Sequence, residues 1–313
     1  MLIDFLISWV ANTPGFAAPY ALAALGLIVS ERAGVLSLGA EGFMLVGAVI
    51  GVGVILSFGM PPLPAMAAAM GAAALVSALF AALVVWLKVN QVIAGLVMVF
   101  FCQGATSLIG SQFGWTNRPF TGLPKIDLGP LANLPVLGPI LAAQDVVIYA
   151  TPAIFLGVAY VLFRTHTGLR LRAVGESPEA ADAAGVDVSG VRFFAVMAGA
   201  SLIGLAGAYI SVGSAKIWVE DMTSGRGWIA VALVIFARWS PWRALAGAIL
   251  FGAIEALVPK LAAAGVRLPQ YLMLMTPYLA TLGVMIWIAV ARRGAAPDEP
   301  GALGVPHVRE ERR

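Results

Sequence analysis

The chain has 313 residues, of which 60% are hydrophobic and 11% charged, with 2 histidines, 1 cysteine and a formal net charge of +3. Soluble domains carry roughly 25% charged residues, so this composition excludes a water-covered globule and places the chain in a bilayer. It also excludes a disulfide framework and a thiolate metal cluster, and the small positive charge has no basic, aromatic-laced stripe of the kind that binds nucleic acid.

The first twelve residues, MLIDFLISWVAN, carry Asp4 and lack the basic start of a cleaved signal peptide; they read at most as a tenth, partial span. Apolar runs follow near 15–30, 35–58, 61–87, 92–110, 146–163, 191–211, 226–240, 242–260 and 269–290. Most approach or exceed the roughly 20 residues that a helix needs to cross about 30 Å of hydrocarbon. They lack the two-residue alternation of barrel strands, and lipid cannot satisfy open backbone groups, so about nine helical spans are expected.

Within the second run, Glu41 lies seven residues past Gly34, about 10 Å along a helix, and reads as the one carboxylate well inside a span. Three roles fit it: accepting hydrogen bonds from a solute, pairing with Arg32, or capping a backbone break near Gly39 and Gly42. Ser37, Gln91 and Gln103 are further candidates for the solute path, although an interhelical hydrogen bond also accounts for the two glutamines. Gly47 and Gly51, and later Gly204 and Gly207, suit close helix packing. The stretch 111–145 holds five prolines and four glycines beside Phe113, Trp115 and Phe120, which suits an irregular cap at one membrane face.

The next connection is unusually polar: TGLRLRAVGESPEAADAAGV, from Thr167 to Val186. Ser177 followed by Pro178 is a helix start, because the hydroxyl accepts from orphan amides and proline needs no partner at the first position. Gly185 is a stop. Between them Ala180, Ala181, Ala183 and Ala184 leave a small, flat surface, and a helix this short needs something packed on it. An ordinary solvated loop with flanking arginines is the alternative. Further on, VEDMTSGRGW from Val219 to Trp228 precedes a short apolar segment, and such an interruption at membrane depth suits the lining of a path, with Ser224 and Trp228 as candidates. Trp239 and Trp242, beside Arg238 and Arg243, read as an interfacial belt.

If the 164–190 loop faces the cytoplasm, thirteen of the 19 Lys and Arg residues lie inside. That bias favours an orientation with 111–145 outside and the tail 291–313 inside. No phosphate loop for ATP and no HExxH zinc motif occurs. Nothing in the chain reads as catalytic.

Four stretches resemble one family. SERAGVLSLGAEGFM, from Ser30 to Met44, is similar to a block of the nucleoside-type permease subunits of bacterial ABC importers, with Ser37 and Phe43 as departures from it. TGLRLRAVGESPEAADAAGV resembles the cytoplasmic coupling segment of the wider ribose, branched-chain amino acid and nucleoside permeases. GRGWIAVALVIFARWSPWRALAGAILFGAIEAL, from Gly225 to Leu257, and LPQYLMLMTPYLATL, near 268–282, resemble later spans of the nucleoside branch.

The resemblance implies an all-α polytopic bundle of about nine spans, eight to ten, like a type II ABC importer permease in the bacterial inner membrane. Its transmembrane domain would cover 1–290 and translocate a nucleoside. The implied coupling residues are Gly168, Arg170, Arg172, Gly175, Ser177, Pro178, Ala180, Ala181, Ala184 and Gly185. The implied partners are a separate ATPase holding ATP and Mg, a second permease subunit, identical or homologous, and an extracytoplasmic solute-binding lipoprotein, with membrane lipid around them. A simple-sugar or branched-chain amino acid permease is the nearest alternative. An ion-driven secondary transporter would require paired intramembrane charges in two inverted halves, and a membrane scaffold would make the same use of an alanine-rich docking helix.

Overall fold

Apolar runs without competing charges close their hydrogen bonds within themselves, and every long element of the computed structural model is a helix. The structure describes residues 2–126, 144–263 and 299–307, with positions 129, 275, 279, 282, 283, 286 and 290. Most of the expected span at 269–290 and of the stretch near 268–282, much of the 111–145 cap and much of the tail lie outside the described residues.

The helices are α1 (Leu2–Glu31), α2 (Ala40–Phe58), α3 (Pro62–Val85), α4 (Gln91–Gln112), α5 (Val146–Arg164), α6 (His166–Glu176), α7 (Pro178–Ala183), α8 (Val188–Ala208), α9 (Arg226–Ala237) and α10 (Pro241–Ala263). A π-helical turn, Tyr209–Ala215, prolongs α8. Among the described residues 7 helices are long and apolar enough to cross a membrane: α1 to α5, α8 with its π turn, and α10.

Two expectations change here. Residues 2–12 form no separate tenth span, because they are the first three turns of α1, which runs unbroken through Pro14 and Pro19. A helix of 30 residues is about 45 Å long, so α1 tilts or projects beyond the hydrocarbon. The run at 226–240 is not a full span either. Its helix, α9, has 12 residues and reaches about 18 Å.

α1 is the central helix, with Tyr20 to Ile28 buried among α8, α9 and α10. Trp9 near its N-terminus donates to the Ala253 carbonyl of the antiparallel α10. α2 reaches α8 through glycine: a Cβ on Gly47 would lie 2.0 Å from the Gly204 carbonyl oxygen, so this backbone contact exists only without a side chain. α4 leaves Val92, Ile93, Leu96, Val97, Phe100 and Phe101 exposed, as suits a face toward lipid or another membrane subunit.

Part of the polar tail is docked. Ala302 N–H donates to the Gly175 carbonyl (2.9 Å), Gly304 N–H to Gly34 (3.2 Å), and the Arg192 guanidinium to Val305 (3.0 Å). The tail thereby bridges the end of α1 and the end of α6.

Candidate functional site

The crossing between α8 and α10 is broken. One end of it is marked by Trp218, which pairs with Thr116 of the 111–145 stretch and lies against Gly110 near the end of α4. Non-helical backbone then descends to Gly225, where α9 begins beside Glu41, in the first turn of α2. α9 ends at the α1 terminus: the Trp239 indole donates to Glu31, and the Arg32 guanidinium donates to the Trp239 carbonyl at 3.3 Å. Glu41 therefore stands about one α9 length, roughly 18 Å, from the Glu31 level.

Glu41 is buried, 4% exposed, and both oxygens are engaged. Oε1 accepts from the Thr223 hydroxyl at 2.6 Å and from Gly225 N–H at 2.8 Å, and Oε2 accepts from Gly227 N–H at 2.6 Å. The first amides of any helix lack internal partners and carry partial positive charge, so a carboxylate from another helix is a strong cap for them. Gly227 permits the approach, since a Cβ there would lie 2.5 Å from the Glu41 amide nitrogen. Of the three roles open to Glu41, the structure shows the cap, applied to 225–227 rather than to Gly39 and Gly42.

A second carboxylate holds the same junction and was not read from the sequence. Arg226 donates to the carbonyls of Met222 and Thr223, each at 3.2 Å, and forms an ion pair with Glu255 of α10. Glu255 also accepts from the Tyr20 hydroxyl at 2.7 Å. Glu41 is therefore not alone at depth. The signal was present as a carboxylate inside the run 242–260, where ionisable residues are rare and paired. Thr223, Gly225 and Gly227 carried no signal of contact with a residue more than 180 positions earlier.

The remaining path candidates divide. Ser224 is exposed on the descent and Trp228 is half-buried in the first turn of α9, so both join the Glu41 junction; Glu220 and Asp221 are exposed on the same descent. Ser37 is buried in the α1–α2 connection, and Gln91 accepts from the neighbouring Leu36 N–H at 2.6 Å, which makes Gln91 an interhelical tie. Gln103, twelve residues farther along α4, is half-buried and stands apart from both groups. Trp239 is no belt residue. The chain turns through Arg238 and Trp239 at φ of +51° and +53°, which buries the indole on Glu31 and leaves Trp242 at the surface.

The polar connection folds as its start and stop signals suggest. Ser177 Oγ accepts from Ala180 N–H at 3.4 Å, and Gly185 ends the turn at φ +80°, where Val186 N–H returns to the Ala181 carbonyl at 3.0 Å. The ten coupling candidates then separate by burial. Ala181 is 4% exposed and packs inside this chain with Val174 and Val188, so it presents no surface to a partner. Gly168 and Gly175 are also internal: a Cβ on either would lie within 2.1 Å of a backbone oxygen, Val161 or Arg32 respectively. Arg172 lies over the Phe163 ring, 5.3 Å from its centroid. Arg170, Ser177, Ala180, Ala184 and Gly185 are exposed, and Pro178 is half-exposed.

Comparison with known proteins matches residues 10–288 to a family described as branched-chain amino acid transport system, permease component. The chain is 38% identical to a putative glucose ABC transporter permease of Haloferax volcanii, over 92% of this chain and 94% of that protein. It is 33% identical to the guanosine ABC transporter permease of Bacillus subtilis over 99% of each. It is 32% identical to a nucleoside ABC transporter permease of Lactococcus lactis over 88% of this chain and 90% of that protein. No solved structure matches the chain.

Proposed function

Because this chain belongs to the branched-chain amino acid transport permease family of ABC transporters, we propose that it forms half of a pore that imports a nucleoside across the cell membrane. The observation that carries the proposal is the broken crossing. Irregular backbone with exposed Glu220, Asp221 and Ser224 is incompatible with lipid and suits a polar path, completed by a second permease subunit. Glu41 and Glu255 act as positioning residues that fix the α9 half-helix at the path wall.

Transport by this family involves an ATPase and a solute-binding partner. In this reading ATP and Mg are held by that separate ATPase, and the exposed surface of Ser177, Ala180, Ala184 and Gly185 seats in its groove. An extracytoplasmic binding protein delivers solute at the 111–145 face. The internal residues Gly168, Gly175 and Ala181 hold the docking turn in shape.

The guanosine and nucleoside relatives support a nucleoside solute, whereas the glucose relative supports a simple sugar as the second reading. Both solutes offer ring hydroxyls, and the base distinguishes them. The test is a binding screen of the cognate receptor followed by ATP-dependent uptake in proteoliposomes. Selective nucleoside binding that free ribose and glucose fail to displace is expected; selective glucose or amino acid binding would overturn the nucleoside reading.

A further inference from the structure

Among the described residues a cleft of about 970 Å³ opens between α5 and α8 beside the docking turn. Val158 and Val161 line it from α5, and Phe194, Ala198 and Leu202 from α8. Val161 and Phe194 are 45% and 68% exposed on helices long enough to span, so the cleft opens toward the bilayer. Gly157 stands on its wall, and a Cβ there would meet nothing within 4 Å.

Apolar space open to the membrane is filled by hydrocarbon, since water gains no hydrogen bonds there. The cytoplasmic end of the cleft differs in character. It is bounded by Arg170 of α6 and by Asp187, the residue that precedes α8. Among the described residues no hydrogen bond or ion pair engages Arg170. Asp187 spends Oδ1 on Gly190 N–H at 3.0 Å, which leaves Oδ2 available to accept. One guanidinium fork and one carboxylate at the mouth of an apolar trough complement a headgroup carrying both a phosphate and a hydrogen-bonding ammonium.

We propose that this cleft binds one inner-leaflet phospholipid of the phosphatidylethanolamine class, with its phosphate on Arg170, its ammonium on Asp187 and its acyl chains between α5 and α8. The site ties the docking turn to the bilayer, and it stands whether the transported solute is a nucleoside or a sugar.

The test uses the assembled transporter in nanodiscs containing phosphatidylethanolamine and phosphatidylglycerol with identical chains, with retained lipid counted by native mass spectrometry after detergent extraction. Wild type is expected to retain phosphatidylethanolamine in preference, and Gly157→Leu, which fills open space without a clash, is expected to retain at least tenfold less. Equal retention by Gly157→Leu and Arg170→Gln, or preference for phosphatidylglycerol, would overturn the proposal. A photo-crosslinking residue at Ala198, exposed in the cleft, gives an independent readout. A lipid adduct supports the site, and an adduct with the ATPase, the second permease or another segment of this chain refutes it.

Discussion

α7 and α9 are both short helices whose first amides need an acceptor, and they find it in opposite ways. α7 is capped by the residue immediately before it, Ser177, and stands at the surface. α9 is capped by Glu41, which is remote in sequence and buried at depth, and its neighbour Arg226 is fixed by Glu255. A local cap in water replaces hydrogen bonds that solvent would otherwise make, so it contributes little. A remote cap within the membrane has no solvent to fall back on, so the helix and the cap exist only together.

The widest separation is expected for Glu41→Leu. It leaves the Thr223 hydroxyl and the Gly225 and Gly227 amides buried without an acceptor, at about 1–3 kcal/mol for each orphaned donor. Detergent-extracted permease should lose its monodisperse size-exclusion peak, and Glu41→Gln, which keeps one acceptor oxygen, should fall between. A normal yield of Glu41→Leu with abolished uptake would move Glu41 from the cap to the solute.

Ala181→Arg comes next. The charge enters the pocket shared with Val174 and Val188, and burying it unpaired costs several kcal/mol. The permease itself should be depleted from membranes, which immunoblotting of washed membranes reads directly. Undiminished membrane levels would show that the turn rearranges to expose this position.

Ser177→Ala should lower stability by about 1 kcal/mol, with Ser177→Asp restoring it, as a thermal-shift series would record. An effect as large as that of Glu41→Leu would erase the distinction between the two caps. The smallest effect on the permease alone belongs to Ala184→Arg, within about 0.5 kcal/mol for an exposed site. The same variant should nonetheless abolish co-purification of the ATPase. Retained ATPase and normal uptake would remove Ala184 from the docking surface.

Residues whose partners are near in sequence could be read directly. Ser177, Pro178 and Gly185 bracket a helix because capping and positive φ are settled within a few positions, and long apolar runs announce spans because lipid leaves the backbone no alternative. The interruption at 219–228 was visible for the same reason: an apolar segment of that length cannot cross alone. What closes the break was hidden, since Glu41 and Glu255 come from two other helices and no periodicity relates them to Gly225 or Arg226.

Sequence by itself determined the bilayer as solvent, the helical class, and the position of the short turn from Ser177 to Gly185, because each depends on composition or on contacts a few residues apart. Tertiary structure alone decided that residues 2–12 continue α1, that Trp239 turns inward to Glu31, that Ala181 is internal while Ala184 is exposed, and that the tail returns to Gly34 and Gly175. Each of these is a choice between a side chain's own surroundings and a distant surface. Only packing specifies which surface arrives.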